Sequence, residues 1–209
     1  MAYSTDSDQT TDLLDQVAAG DPAALDHLLQ LHRNYLKRVA QMRIEPALMA
    51  RVDASDVVQE TQVVIAKRIG DFIQRRPTSF RLWIRRKALE QLADQRRRHI
   101  GAAKRSILKE QNMSNVSSIA IARKLLTNTP SKIVRKIELQ KQVQEVIEQM
   151  SENDREVLTL RHAEGLSNNE VADILEIDPN TGRQRYGRAL RRLHQLLMEN
   201  DISMNTSLE

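Results

Sequence analysis

Apolar residues recur at three- and four-residue intervals along almost the whole of this chain, while the alternation of a half-buried strand is scarce. That spacing places apolar side chains on one face of a helix, so the expected fold is all-α. Thr11 to Ala19 is a short amphipathic segment closed by Gly20. Asp21-Pro22 then supplies an N-cap and a first-turn proline for a helix running to about Arg43. Another helix starts near Ser55 and ends near Gly70 or Phe72, and Pro77 and Ser79 open a third through Phe80 and Trp83 into Arg96-Arg97-Arg98. From Met113 to Pro130 the pattern dissolves into Ser, Asn, Thr and small apolar residues, with Ile119 to Leu126 able to form a turn or two of helix. Periodicity returns over Ser131 to Met150, Ser151 to His162 and Leu166 to Leu197. The expected organisation is two small helical domains joined by a flexible linker: a flexible tail over 1–10, a domain over 11–112, the linker over 113–130, a second domain over 131–199 and a tail over 200–209.

Charge narrows the function. Lys and Arg total 32 against 28 Asp and Glu in 209 residues, but the surplus is not spread evenly. Met1 to His32 carries six Asp and no Lys or Arg. Arg75 to Lys109 carries twelve basic residues against Glu90 and Asp94, and Thr181 to His194 carries five Arg with no acid. Two separated basic blocks point to two contacts with a polyanion. The chain has no cysteine and no run near the ~18 apolar residues of a membrane span, which predicts a cytoplasmic protein without membrane insertion. His27, His32, His99, His162 and His194 lack metal-site spacing, and no phosphate-cradling glycine loop is present, so neither enzymatic activity nor a cofactor or metal is expected.

The second basic block has a specific layout. Ser167-Asn168-Asn169-Glu170 is a capping box that opens a short helix with Val171, Ala172, Ile174 and Leu175 on its apolar face. Asp178-Pro179 restarts the chain as a second helix within a few residues, the arrangement of a helix-turn-helix. At 100° per residue, Gly182, Tyr186, Ala189, Leu190, Leu193 and Leu197 form one stripe. Thr181, Gln184, Arg188, Arg191 and Gln195 lie opposite, with Arg185 and Arg192 on one flank and Arg183 on the other. An apolar stripe backed by Arg and Gln suits groove reading, because Arg reaches guanine edges, Gln reaches adenine edges, and Arg and Thr bind phosphates. Thr181, Arg183, Gln184, Arg185, Arg188 and Arg191 are the candidate contacts. An ordinary amphipathic surface helix would mix its charges, and this stretch does not.

The segment from Ser55 to Phe72 is also two-faced. Val57, Val58, Thr61, Val64, Ile65, Ile69 and Phe72 cluster on one side, with Asp56, Gln59, Glu60, Val63 and Lys67 on the other. Composition alone would read that second face as merely solvated.

These residues resemble a family. Asp56-Val57-Val58-Gln59-Glu60-Thr61 is similar to the D-L-V-Q-E signature in region 2 of bacterial RNA polymerase sigma factors of the sigma-70 family, extracytoplasmic-function (ECF) type. Phe80-Arg81-Leu82-Trp83-Ile84, with Asp94 and Arg96 to Arg98, resembles the family's F-x-x-W-L…D-x-x-R segment, and Ser151 to Leu158 resembles the entry to region 4. Leu166-Ser167, Glu170-Val171-Ala172, Thr181, Arg185 and Arg188-Ala189-Leu190 are similar to L-S-x-x-E-I-A…T-V-x-x-R-x-x-R-A-L. The likeness runs in order from about Asp12 to Leu197.

The resemblance implies a promoter-specificity subunit that binds core RNA polymerase, through the β′ coiled coil and the β subunit, and promoter DNA. Asp56, Gln59 and Glu60 would face the β′ coiled coil, with Val63 as an apolar anchor. The region 2 segment would capture and open the minus-ten element, with Arg85, Arg86, Arg96, Arg97 and Arg98 holding phosphates, while region 4 reads the minus-thirty-five element as duplex. An anti-sigma protein is a further possible partner. Three departures stand out: Gly182 replaces an aliphatic residue on the core face and predicts a less firmly seated helix, while Lys87 and Glu90 replace an aliphatic residue and Asn, which places an acid near nucleic acid. A stand-alone helix-turn-helix regulator, and an interaction protein that occupies a partner without opening promoters, are the competing readings.

Overall fold

A computed structural model describes residues 6–44, 48, 51–102, 118, 121–122, 133–200 and 202. All regular structure among them is helical. The chain divides into two compact units, Met1–Ile107 and Leu108–Glu209.

The first unit holds α1 (Asp8–Ala18), α2 (Pro22–Arg43), α3 (Ala54–Arg75) and α4 (Phe80–Ala102). Capping chemistry sets their boundaries. The Ser7 hydroxyl accepts from the Thr10 amide, and Asp21 and Asp53 accept from the amides two residues on, so each satisfies a donor the first helical turn leaves open. Gly20 ends the first helix at φ +89°, a left-handed backbone that glycine adopts without steric cost. The third helix does not stop at Gly70 or Phe72 as expected. It runs to Arg75, and Arg76 in the left-handed conformation followed by Pro77 terminates it. The start of α4 is capped twice. Ser79 accepts from the Leu82 amide, and Asp6 accepts from the amides of Phe80 at 2.8 Å and Arg81 at 3.4 Å. Residues 6–10, expected as tail, are therefore ordered: they begin α1 and tie the chain's start to α4. Arg76 adds an ion pair to Asp15 at 2.6 Å.

α2, α3 and α4 pack on one another around Leu28, Leu36, Val39, Val57, Ile65, Phe72, Phe80 and Ile84, all buried. Phe80 meets the edge of His32 at 5.2 Å and of Phe72 at 5.4 Å, and half-buried Trp83 covers Phe72 at 4.8 Å. His32 is half-buried against this cluster, with its Nε2 3.2 Å from the Thr10 hydroxyl. Burial, then the nearby Arg81 cation, pushes its pKa down to about 4.

The second unit holds α5 (Ile133–Glu148), α6 (Glu152–Leu158) continuing as a π-turn over Thr159–Ala163, α7 (Asn168–Ile174) and α8 (Pro179–Glu199). Its core joins Val143, Val146, Ile147, Met150 and Leu158 to Ala189, Leu193, Leu196 and Leu197. Ile121 and Ala122 complete that core fully buried, although both fall in the stretch expected as linker, and Ile202 in the expected tail is buried there as well. The second helical unit is thus larger than 131–199 at both ends. The rest of the expected linker, 113–117, 119–120 and 123–130, and the remainder of both expected tails apart from Asn200 lie outside the described residues, as do Lys104, Arg105 and Lys109 of the first basic block.

Candidate nucleic-acid interface

The helix-turn-helix is built by two caps and one close crossing. At Ser167 the expected capping box is complete: the hydroxyl accepts from the Glu170 amide at 3.2 Å, and the Glu170 carboxylate accepts from the Ser167 amide at 2.7 Å. α7 ends as Ile177 donates its amide to the Ala172 carbonyl at 3.0 Å, with Glu176 in the left-handed region. Asp178 then caps α8, accepting from the amides of Asn180 and Thr181 and from the Thr181 hydroxyl. That hydroxyl bond, then the backbone bonds, holds the Asp178 carboxyl below the usual carboxylate range.

Gly182 sits where the two helices cross. A Cβ there would lie 3.3 Å from the Ala172 Cβ and 3.6 Å from the Asn168 carbonyl, so the absent side chain is what lets α8 approach α7. The helix is therefore not loosely seated, contrary to the sequence expectation. Close backbone packing replaces the missing aliphatic contact. Tyr186 seats it further, through a 3.0 Å hydrogen bond between its hydroxyl and His162 Nε2 and the guanidinium of Arg161 5.0 Å over its ring. Arg161 and His162 belong to the π-turn, and their packing on Tyr186 escaped the sequence reading, because nothing in their spacing marks the bulge that aims both at one side chain.

The opposite face of α8 is open. Arg183, Gln184, Arg188 and Arg191 are exposed, while Thr181 and Arg185 are half-buried. The four exposed residues and Gly187 line a shallow concavity of about 440 Å³. Arg183 donates to Asn180, whereas Gln184, Arg188 and Arg191 make no side-chain hydrogen bond or ion pair among the described residues. Thr181 spends its hydroxyl on the helix's own cap.

The cations of α4 are arranged differently. Arg85 is buried, 8% exposed, unlike the other four arginines to which the resemblance gave phosphate contacts. Its position one residue from Arg86 turns it through 100° toward the core. Arg86, Arg96, Arg97 and Arg98 are exposed. Glu90 lies 2.7 Å from Lys87 and 3.5 Å from Arg86, Arg97 pairs with Asp94, and Arg98 lies 3.7 Å from Glu60. Glu90 thus sits between two cations, which offsets the repulsion that a lone acid would exert on phosphate.

On α3, Asp56, Gln59, Val63 and Lys67 are exposed along one strip, and Val63 is 54% exposed. Glu60 departs from the expected open face. Its Oε1 accepts from Gln95 Nε2 at 2.9 Å, and its Oε2 is buried without a hydrogen-bond partner among the described residues. Gln95 and Arg98 both belong to α4, so the carboxylate ties the two helices together.

Comparison with known proteins agrees with this geometry. The family model described as sigma-70, region 4 matches residues 140–193, from within α5 through most of α8. The RNA polymerase sigma-H factor of Bacillus subtilis is 26% identical over 202 residues, covering 92% of this chain and 90% of its own. The ECF RNA polymerase sigma-E factor of Haemophilus influenzae is 30% identical over 187 residues, covering 88% of this chain and 93% of its own. The chain belongs to the ECF RNA polymerase sigma factors. Among solved structures, this sigma factor shares its fold with CnrH in complex with the cytosolic domain of CnrY, with a TM-score of 0.54, 24% identity, and coverage of 92% of this chain and 99% of that one. The region 4 match places the helix-turn-helix of the sigma factor within the family's own domain. Among its described residues no helix is long and apolar enough to cross a membrane, and no group of three or more acidic or His side chains is placed to hold a metal ion.

Proposed function

We propose that this chain binds core RNA polymerase and directs it to promoters, supplying sequence recognition and DNA opening while catalysis stays with the polymerase in the cytoplasm. The observation that carries this reading is the exposed face of α8: Arg183, Gln184, Arg188 and Arg191, backed by a tightly seated helix-turn-helix and free of any acid from Thr181 to His194. Among the described residues Gln184, Arg188 and Arg191 have no side-chain partner to release before they meet DNA, so their cost of binding is low. They read base edges in the duplex minus-thirty-five element, and Arg183 and Arg185 hold the flanking phosphates.

In the first unit, Arg86, Arg96, Arg97 and Arg98 serve the strand of the minus-ten element. To do so Arg86 leaves Glu90, Arg97 leaves Asp94 and Arg98 leaves Glu60. That exchange of partners lowers affinity for DNA in the free protein. Asp56, Gln59 and Val63 form the docking strip for the polymerase β′ coiled coil, with Val63 the apolar centre and further contacts falling to the β subunit. CnrH forms a complex with the cytosolic domain of CnrY, and the likeness of fold extends to this chain the proposal of an anti-sigma partner.

The test mixes the chain with core RNA polymerase and a genomic promoter library and sequences the transcripts. Start sites that appear only with the chain present are expected. Tight, sequence-specific DNA binding by the chain alone, with no effect on transcription, would support a stand-alone regulator instead.

A further inference from the structure

The recognition helix carries a glycine whose place no packing among the described residues explains. Gly187 lies in the middle of α8, where glycine is the poorest helix former other than proline because it gives up the most backbone freedom. Gly182 has a reason, since Ala172 fills the space a side chain would take. Gly187 has none among the described residues, because a Cβ added there meets nothing within 4 Å apart from its chain neighbours and its own helix backbone. An alanine would fit the free protein and strengthen its helix. The open spot is ringed by Arg183, Gln184, Arg188 and Arg191, and Gly187 forms part of the lining of the concavity they share. A glycine there lets the helix backbone itself come close to whatever enters.

We propose that Gly187 is a positioning residue for sequence reading: its missing side chain lets α8 settle against base-pair edges in the major groove, so that Gln184 and Arg188 reach those edges. The inference rests on the promoter-binding reading of α8. Gln184 and Arg188 are four residues apart and therefore share one face, with Gly187 beside Arg188 and one turn beyond Gln184. A methyl group at 187 holds the backbone off the bases and stretches both contacts, and hydrogen bonds weaken steeply once stretched or bent.

The experiment uses full-length chain assembled with core RNA polymerase and a random-sequence duplex DNA pool, with bound molecules enriched and sequenced. Wild-type holoenzyme is expected to enrich a defined duplex motif. On that enriched duplex, Gly187→Ala is expected to bind about tenfold more weakly, roughly the loss of one base contact. Its affinity for a shuffled duplex stays unchanged, and the melting temperature of the free chain rises. Equal affinity of variant and wild type for the enriched duplex overturns the inference. So does an equal fall on enriched and shuffled duplexes, because clearance for base edges demands a sequence-specific loss. Failure of the wild type to enrich any motif removes the promoter-binding reading itself and the inference with it, a result distinct from the other two.

Discussion

Glu60 of α3 and Arg98 of α4 face each other at 3.7 Å, and the same carboxylate accepts a hydrogen bond from Gln95 at 2.9 Å. One residue of the proposed polymerase-docking motif on α3 is therefore also a strut to α4, which carries the cations proposed for the minus-ten element. Asp56, by contrast, is exposed and makes no side-chain bond among the described residues.

Charge reversal should separate these two roles. Asp56→Lys is expected to weaken association with core polymerase and leave the unfolding midpoint where it was. Glu60→Lys is expected to lower both, at a cost of about 1–3 kcal/mol for stranding Gln95 and placing like charges together. Pull-down titrations and urea unfolding followed through Trp83, the only tryptophan, measure the pair. Normal polymerase binding by Asp56→Lys would remove the strip from the docking surface.

Arg188→Ala should lower holoenzyme affinity for its selected promoter by about 1–3 kcal/mol and relax preference at one base position. Arg185 is half-buried, and with the phosphate contact proposed for it, Arg185→Ala should weaken binding evenly across sequences and flatten the salt dependence. Fluorescence anisotropy at several salt concentrations distinguishes the two, and identical behaviour of both variants contradicts the assignment.

Ile121 is fully buried with Val143, Ile147 and Leu193. Ile121→Ala should therefore destabilise the second unit by about 2–5 kcal/mol, as for other large-to-small core changes. Thermal unfolding by circular dichroism reads this directly. A linker residue would cost next to nothing.

The His32 imidazole has a folded pKa of about 4, below the ordinary 6.5, so the unfolded chain binds a proton that the folded one refuses between those values. The stability this contributes is complete above about pH 6.5 and is lost as pH falls toward 4. The full effect is on the order of 3 kcal/mol. Unfolding midpoints from pH 7 to pH 4, again through Trp83, should fall in wild type. His32→Gln should remove that part of the slope, and an unaltered slope would show that other groups govern it.

Much of this protein is legible in its sequence alone. The apolar spacing, the caps at Asp21 and Ser167 and the acid-free run after Thr181 are local signals, and helices are local objects whose ends and faces follow from residues three or four apart. What only the tertiary structure decided concerns residues far apart in the chain. Asp6 caps a helix 74 residues away, Glu60 turns from the solvent toward Gln95 and Arg98, and Arg85 is drawn into the core while Arg86 stays outside. Ile121 and Ala122 look like linker because the apolar patch they belong to is short and flanked by Ser, Asn and Thr, yet packing with residues of α5 and α8 buries them. Gly182 reads as a weak point on a helical wheel and becomes the place where two helices touch, since a wheel holds one helix and the contact needs both.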